Sequence, residues 1–171
     1  SPSEHPQMTD SVLTATLLVN PVARRVRRGF DAKGALAHIR KQGVKCELDI
    51  PASEEAMVQA SLDSAARGDD LLFVAGGDGT LRLAAGAIAD SGTALAALPG
   101  GTANVWCKEA NIPKQFRKAI DAHIAGQTHA MDLGDADGKP FMLMAGVGWD
   151  AAIAGSVNGR LKRATGPLAY G

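Results

Sequence analysis

The sequence has little cysteine and no long apolar run. Its two cysteines, Cys46 and Cys107, lie far apart and have no His or Cys partner at metal-ligand spacing. This excludes a disulfide framework and the common zinc motifs, and favours two free thiols in a reducing compartment. No stretch approaches the roughly 18–20 consecutive apolar residues of a membrane-spanning helix, so the sequence predicts none.

The chain has no excess of positive or negative charge, and it has few aromatic residues. Basic and acidic residues number 18 each, and the chain has two Trp, one Tyr and four Phe. The balanced charge and the absence of interleaved basic and aromatic residues predict that nucleic acid is not a partner. Residues 1–10 lack the basic and apolar segments of a signal peptide and predict a disordered leader.

Several nucleotide-binding and catalytic motifs are missing. The chain has no G-x-x-x-x-G-K-[ST], no G-x-G-x-x-G after the first apolar segment, no H-E-x-x-H and no G-x-S-x-G. These absences exclude a Walker loop, the ordinary dinucleotide fingerprint, a zincin site and a hydrolase nucleophile elbow. Hydrophobic residues still make up 46% of the chain, which is enough for a folded core.

What the sequence does contain is a strand–helix alternation over its first 126 residues. Apolar, β-branched segments at 12–19, 44–50, 71–75 and 94–98 predict strands. Between and after them, residues 30–42, 53–67, 81–89, 102–110 and 113–125 predict helices, with Ser53 as an N-cap and Gly68 as a stop. The alternation predicts an α/β fold, with an open, mostly parallel sheet and helices on both faces.

A change of pattern near residue 127 predicts a domain boundary. Beyond it, residues 128–133 and 141–147 predict short strands, and Asp137-Gly138 between them is a typical hairpin turn. We therefore expect an α/β domain at 11–127 and the beginning of a β-rich domain at 128–171.

Three loops follow predicted strands: Asn20-Pro21, Gly76–Thr80 and Pro99–Asn104. The carboxyl ends of parallel strands meet at one edge of the sheet, where ligands bind. Glycine lets main-chain N–H groups approach an anion closely, and a following helix N-terminus favours phosphate. The candidate nucleotide-binding residues are Asn20, Pro21, Gly76, Gly77, Asp78, Gly79, Thr80, Gly100, Gly101, Thr102 and Asn104.

Asp78 is an acid in a turn that otherwise favours anions. A carboxylate beside phosphate is understandable if a divalent cation lies between them, or if Asp78 accepts the proton of an attacking hydroxyl. Thr80 and Thr102 supply hydroxyls that reach phosphate or metal. Asn104 suits ribose, phosphate or bracing of its own loop. Phosphoryl transfer uses groups of these kinds.

These motifs resemble those of the diacylglycerol kinase catalytic domain family, which includes bacterial lipid kinases and sphingosine kinases. The resemblance runs along nearly the whole chain. Its motifs are Asn20-Pro21, GGDGT at 76–80, LPGGTANVW at 98–106, MDLG at 131–134, AGVGWDAAIAG at 145–155, Lys162 and GPLAY at 166–170. The GGDGT loop also resembles that of NAD kinases and phosphofructokinases.

The resemblance implies an ATP- and Mg²⁺-dependent lipid kinase that phosphorylates the hydroxyl of a lipid such as diacylglycerol. Asp78 is then the candidate catalytic residue, or a metal-linked acid. The family's second domain is a β-sandwich, of which 128–171 would be an incomplete part. The resemblance further implies a cytoplasmic protein with peripheral contact at the inner membrane surface, and allows a homodimer. The alternatives are a non-catalytic nucleotide-binding module and an NAD kinase-like enzyme.

The basic run formed by Arg24, Arg25, Arg27 and Arg28 lies just after the first loop. One interpretation is a solvated face without a ligand. The other is contact with ATP phosphates or with anionic membrane lipid. The sequence alone leaves both open.

Overall fold

A four-stranded parallel sheet forms the centre of the molecule. The computed structural model describes residues 12–143. The strands are β1 (Thr14–Val19), β2 (Lys45–Asp49), β3 (Leu71–Gly76) and β4 (Ala94–Pro99). Their order across the sheet is β2-β1-β3-β4, and each neighbouring pair is parallel. The predicted open, parallel α/β sheet is confirmed.

Within residues 12–143, six helices connect or follow these strands. They are α1 (Arg24–Arg27), α2 (Ala32–Lys41), α3 (Glu54–Arg67), α4 (Asp78–Ile88), α5 (Val105–Glu109) and α6 (Phe116–Ala125). The predicted ends of α3 are confirmed. The Ser53 hydroxyl accepts a hydrogen bond from the N–H of Ala56 at 3.1 Å, and Gly68 ends the helix in the left-handed conformation at φ 73°.

The helices cover both faces of the sheet. Alternate strand residues point to opposite faces, so Leu17 and Phe73 belong to one core cluster and Leu18 and Leu72 to another. The first cluster includes buried residues of α1, α2 and α6. The second includes residues of α3, α4 and α5. This two-sided core fixes the strand ends from which the candidate loops emerge.

Two predicted boundaries near the loops were wrong. Residues 76–80 were expected to be a turn, but α4 already begins at Asp78. Residues 102–104 were expected to be helical, but α5 begins only at Val105, because Asn104 adopts the left-handed conformation at φ 50°. The four-residue helix α1 was not predicted. The last three residues of the GGDGT motif, Asp78 to Thr80, therefore lie in the first turn of a helix.

The strand predicted at 128–133 was wrong, because the observed hairpin pairs β5 (Gly134–Ala136) with β6 (Lys139–Phe141) in antiparallel fashion. Of the strand predicted at 141–147, Phe141 lies in β6, and residues 144–147 lie outside the described range. The turn itself is confirmed, because Asp137 and Gly138 both have positive φ, 54° and 73°, as a type I′ turn requires.

Some predictions concern residues that the structure does not describe. Residues 1–10, expected to be a leader, and the part of the expected β-rich domain that follows residue 143 lie outside the described range. The domain boundary near 127 stays a prediction. Among the described residues, no helix is both long and apolar enough to cross a membrane.

Both cysteines are free and buried. Burial raises the pKa of the Cys46 thiol to about 12 and that of the Cys107 thiol to about 11, because a thiolate is poorly solvated in the protein interior. The Asp78 carboxylate adds to the shift at Cys107. Both thiols are therefore neutral at physiological pH and unsuited to act as nucleophiles.

Candidate phosphate-binding site

The three candidate loops converge at the carboxyl edge of the sheet, as the sequence predicted. The N–H of Asn20, after β1, donates to the carbonyl of Ala75 at 2.9 Å. The N–H of Gly100, after β4, donates to the carbonyl of Gly76 at 2.8 Å. Since β3 lies between β1 and β4, its loop is hydrogen-bonded to the strand ends on both sides.

The two glycine-rich loops are packed main chain against main chain. A Cβ atom added to Gly101 would lie 2.4 Å from the Cα of Gly77, and one added to Gly100 would lie 2.8 Å from the nitrogen of Gly76. Neither distance leaves room for a side chain. These glycines are thus required by the close approach of the loops to each other.

Asn20 joins the first loop to helix α4. Its Nδ2 donates to the Thr80 hydroxyl at 2.8 Å, and its Oδ1 accepts from the N–H of Val22 at 3.0 Å. Thr80 is buried, and its side chain leaves no space for a Cβ at Gly76, which would lie 2.6 Å from the Thr80 Cβ. Asn20 and Thr80 therefore orient the loop backbone, while Pro21 is exposed.

The N-terminus of α4 offers main-chain donors to an anion. Its N-cap is Gly77, which has no side-chain oxygen to cap the helix. The first N–H groups of a helix have no intrahelical acceptor, and the helix dipole places partial positive charge there. Gly79, in this first turn, is exposed, and a Cβ added to it would meet no atom within 4 Å. A phosphate group has both the space and the donors that it needs at this point.

The Asp78 carboxylate is engaged by the neighbouring helix. Its two oxygens accept hydrogen bonds from the N–H groups of Val105 and Trp106, each at 3.0 Å. Asp78 thus caps α5 and links the GGDGT loop to the segment after β4. An ionised carboxylate has about four lone-pair sites, so it could still accept a proton or bind a cation. Within 12–143, no group of three or more His, Cys, Asp or Glu side chains is arranged to hold a metal ion.

Asn104 braces its own loop. Its Oδ1 accepts from the N–H of Gly101 at 2.8 Å and its Nδ2 donates to the carbonyl of Gly101 at 3.0 Å. Of the three roles that the sequence left open, bracing is the one these contacts support, since Asn104 is buried. Thr102 is exposed at the tip of this loop, where its hydroxyl can reach a ligand.

Arg25 contacts the site in a way that sequence reasoning missed. Its main-chain N–H donates to the carbonyl of Gly100 at 2.8 Å. Its guanidinium donates to the carbonyls of Pro99 and Lys114. The sequence showed only a run of four similar cations. Nothing in its spacing separated this half-buried arginine from the exposed Arg27 and Arg28.

An apolar cleft lies beside α5. Its volume is about 560 Å³. The lining residues are Val105, Trp106, Glu109, Ala110, Met131, Met142 and Leu143. Since Val105 and Trp106 also bind Asp78, the cleft adjoins the phosphate-binding loops.

Sequence comparisons identify relatives of this chain. Residues 14–136 match the family model of the diacylglycerol kinase catalytic domain. The chain is 35% identical over 144 residues to a protein of Pseudomonas syringae pv. syringae (strain B728a) named "Probable lipid kinase YegS-like", covering 82% of this chain and 46% of that protein. It is 28% identical over 159 residues to the diacylglycerol kinase of Bacillus subtilis (strain 168), covering 91% of this chain and 52% of the relative.

A solved structure agrees in fold. A diacylglycerol kinase from Bacillus anthracis str. Sterne superposes with a TM-score of 0.65 at 21% identity, over 78% of this chain and 51% of that one. The chain spans about half the length of the relatives that it matches. The match of the family model to most of the sequence, together with these relatives, shows that the chain belongs to the diacylglycerol kinase catalytic domain family.

Proposed function

We propose that this chain is the nucleotide-binding part of an ATP-dependent lipid kinase. The reaction transfers the γ-phosphoryl group of ATP to the hydroxyl of a lipid such as diacylglycerol. The observation that carries the proposal is the N-terminus of α4, whose N-cap Gly77 packs against Gly101 of the second glycine-rich loop at one sheet edge. Such an arrangement favours phosphate, because several main-chain donors and the helix dipole point to one place.

The nucleotide-binding residues in this proposal act in two ways. The main chain of Gly77 and Gly79, together with Thr102, contacts phosphate, while Gly101, whose N–H donates to Asn104, packs against Gly77. Asn20, Thr80 and Asn104 keep these loops in position through the hydrogen bonds that they make to one another and to the main chain.

Mg²⁺ is proposed as the cation that accompanies ATP. Carboxylate oxygen is a ligand that Mg²⁺ prefers, and the ion commonly bridges one or two carboxylates to substrate phosphates. Asp78 is the acid of the described loops, and it supplies either such a ligand or the base that takes the proton of the lipid hydroxyl. When bound, Mg²⁺ would neutralise charge on the phosphate oxygens.

The lipid is proposed to approach from the side of α5. The apolar cleft lined by Trp106, Met131 and Met142 adjoins the Asp78-capped turn. Apolar lining suits the acyl part of a lipid alcohol, while the hydroxyl would face the loops. The proposed setting is cytoplasmic, with peripheral contact at the inner membrane surface.

The proposed reaction is tested with γ-labelled ATP, Mg²⁺ and diacylglycerol in mixed micelles. The protein should be this chain together with any residues that follow it in its reading frame. Transfer of label to the lipid supports the proposal. Absence of label in the lipid, with a folded protein, would exclude kinase activity towards diacylglycerol. The assay is then repeated with other lipid alcohols, to test whether one of them is the phosphoryl acceptor.

A nucleotide-binding module without turnover is the second candidate. The observation that favours it is the engagement of both Asp78 oxygens by main-chain N–H groups, which suits a structural cap as well as a catalytic acid. This candidate expects ATP binding without transfer to any lipid alcohol. The labelling experiment therefore separates the two.

The exposed part of the basic run is proposed to contact anionic membrane. Arg27 and Arg28 are exposed, Arg24 is half-buried, and Val22 beside them is 64% exposed. Each cation near an anionic surface contributes about 1 kcal/mol. The combined change Arg24→Gln, Arg27→Gln and Arg28→Gln should therefore weaken binding to phosphatidylserine vesicles by roughly 100-fold at low salt, measured by vesicle co-sedimentation.

The control for this experiment removes the same charge elsewhere. Lys33, Arg117 and Lys118 are exposed cations on α2 and α6, and changing all three to Gln should leave vesicle binding nearly unaltered. Equal binding by the two triple variants would contradict a specific role for the run.

A further inference from the structure

Arg25 ties three separate segments of the chain together. Its main chain belongs to α1, after the first loop. Its N–H donates to Gly100 at 2.8 Å, and its Nη1 donates to the carbonyl of Pro99 at the end of β4. Its Nη2 donates to the carbonyl of Lys114, between α5 and α6, at 2.8 Å. All three acceptors are main-chain carbonyls.

The guanidinium is also stacked on an aromatic ring. It lies 5.1 Å from the centroid of Phe116, the first residue of α6. Phe116 in turn packs edge-on against Phe30, with the ring centroids 4.4 Å apart. A planar guanidinium can donate to two carbonyls and stack on an aromatic ring at the same time, whereas a lysine ammonium cannot reproduce that geometry.

Two of the three carbonyls that Arg25 holds, those of Pro99 and Gly100, belong to the second glycine loop. The N–H of Gly100 donates to Gly76, and the N–H of Gly101 donates to Asn104. Val26, next to Arg25, also packs near Gly100, since a Cβ there would lie 3.0 Å from its Cγ2. A main-chain hydrogen-bonded path thus runs from the Arg25 N–H through Gly100 to Gly76, and the guanidinium holds the carbonyl of Pro99 immediately before Gly100.

We infer that Arg25 is a positioning residue that fixes the Pro99–Gly101 main chain against Gly76-Gly77. It acts on phosphate binding through the spacing of the loop amides, not as a charge beside the nucleotide. The inference rests on the proposed nucleotide site for its functional consequence. The clamp itself is a property of the unliganded protein and can be measured without ATP.

The first measurement is amide hydrogen exchange by NMR in the unliganded protein. Arg25→Lys keeps the charge and removes the planar guanidinium, Arg25→Met removes both, and Lys33→Met is the control at an exposed cation of α2. Both Arg25 variants should speed exchange at Gly100 and Gly101 by about tenfold, because hydrogen bonds that hold the loop are lost. Exchange at Val74, in the buried centre of β3, should be unchanged in all three variants.

The second measurement is the affinity for Mg²⁺-ATP by calorimetry. Both Arg25 variants should bind about tenfold more weakly than the wild type, while Lys33→Met should bind normally. Wild-type affinity in Arg25→Lys would show that only the charge matters and would overturn the inference. Unaltered exchange at Gly100, or faster exchange at Val74 as well, would also overturn it. If the wild type fails to bind ATP, the proposed function is wrong, and the exchange data still decide whether the clamp exists.

Discussion

Replacing Gly101 with alanine should separate the two glycine loops and abolish nucleotide binding. The new Cβ would lie 2.4 Å from the Cα of Gly77 and 3.3 Å from its nitrogen. Both atoms are main chain, so no side-chain rotation can relieve the contact. Overpacking of this kind costs about 1–3 kcal/mol, and relief requires the loops to move apart. The amides that would bind phosphate then lose their relative positions.

Gly79→Ala is the matched control for this change. It also replaces a loop glycine by alanine, but its Cβ would meet no atom within 4 Å. Gly79 lies in the first turn of α4, where alanine has the better helix propensity. The control should therefore unfold at the same or a slightly higher denaturant concentration.

Urea unfolding and ATP titration of both variants check this prediction. Gly101→Ala should lose about 1–3 kcal/mol of unfolding free energy and all measurable ATP binding, while Gly79→Ala keeps its stability. If Gly101→Ala bound ATP with the affinity of the wild type, the close packing of the two loops would not be needed for ATP binding, which would contradict the prediction.

Replacing Asp78 tests a residue that serves as a helix cap and is proposed to serve in catalysis. Asp78→Ala removes the acceptor of two main-chain N–H groups, those of Val105 and Trp106. Loss of a helix cap costs about 0.5–2 kcal/mol, so the protein should remain folded. Phosphoryl transfer should be abolished, because no other acid of the described loops can take its place.

Asp78→Asn separates the two roles. Its amide oxygen can still accept one of the two hydrogen bonds, but the side chain is neutral and can neither take a proton nor bind a cation strongly. If Asp78 is a base or a metal ligand, transfer should fall by about 100-fold or more. Because one of the two hydrogen bonds is kept, about half of the stability loss of Asp78→Ala is expected. Transfer within about tenfold of the wild type would leave Asp78 the role of a cap alone.

The placement of the site could be predicted from the sequence because it follows from topology. Apolar strand segments before Asn20, Gly76 and Pro99 are enough to put three loops at one sheet edge. The helix ends at Ser53 and Gly68 followed from local capping chemistry. These features depend on residues that are close together in the sequence, so they can be predicted from the sequence alone.

The contacts across the site could not be predicted, because they join residues far apart in the chain. Asp78 caps a helix that begins 27 residues later, and Arg25 donates to a carbonyl 74 residues away. Because Asn104 adopts the left-handed conformation, α5 begins later in the chain than predicted, although the residues around Asn104 suit a helix. After residue 127, the Asp137-Gly138 turn could be predicted. The pairing of the strands around it could not, because they are short and their apolar and polar residues alternate only weakly.

The central claim is that the main chain of the two glycine loops binds ATP phosphates. The most direct test is an NMR titration of the ¹⁵N-labelled chain with Mg²⁺-ATP, compared with Mg²⁺-adenosine. The account predicts that ATP shifts the amide signals of Gly77, Gly79, Thr80 and Thr102 in a saturable manner, and that adenosine leaves them largely in place. Saturable ATP binding that left these amides unshifted, or no binding by the folded chain, would contradict it.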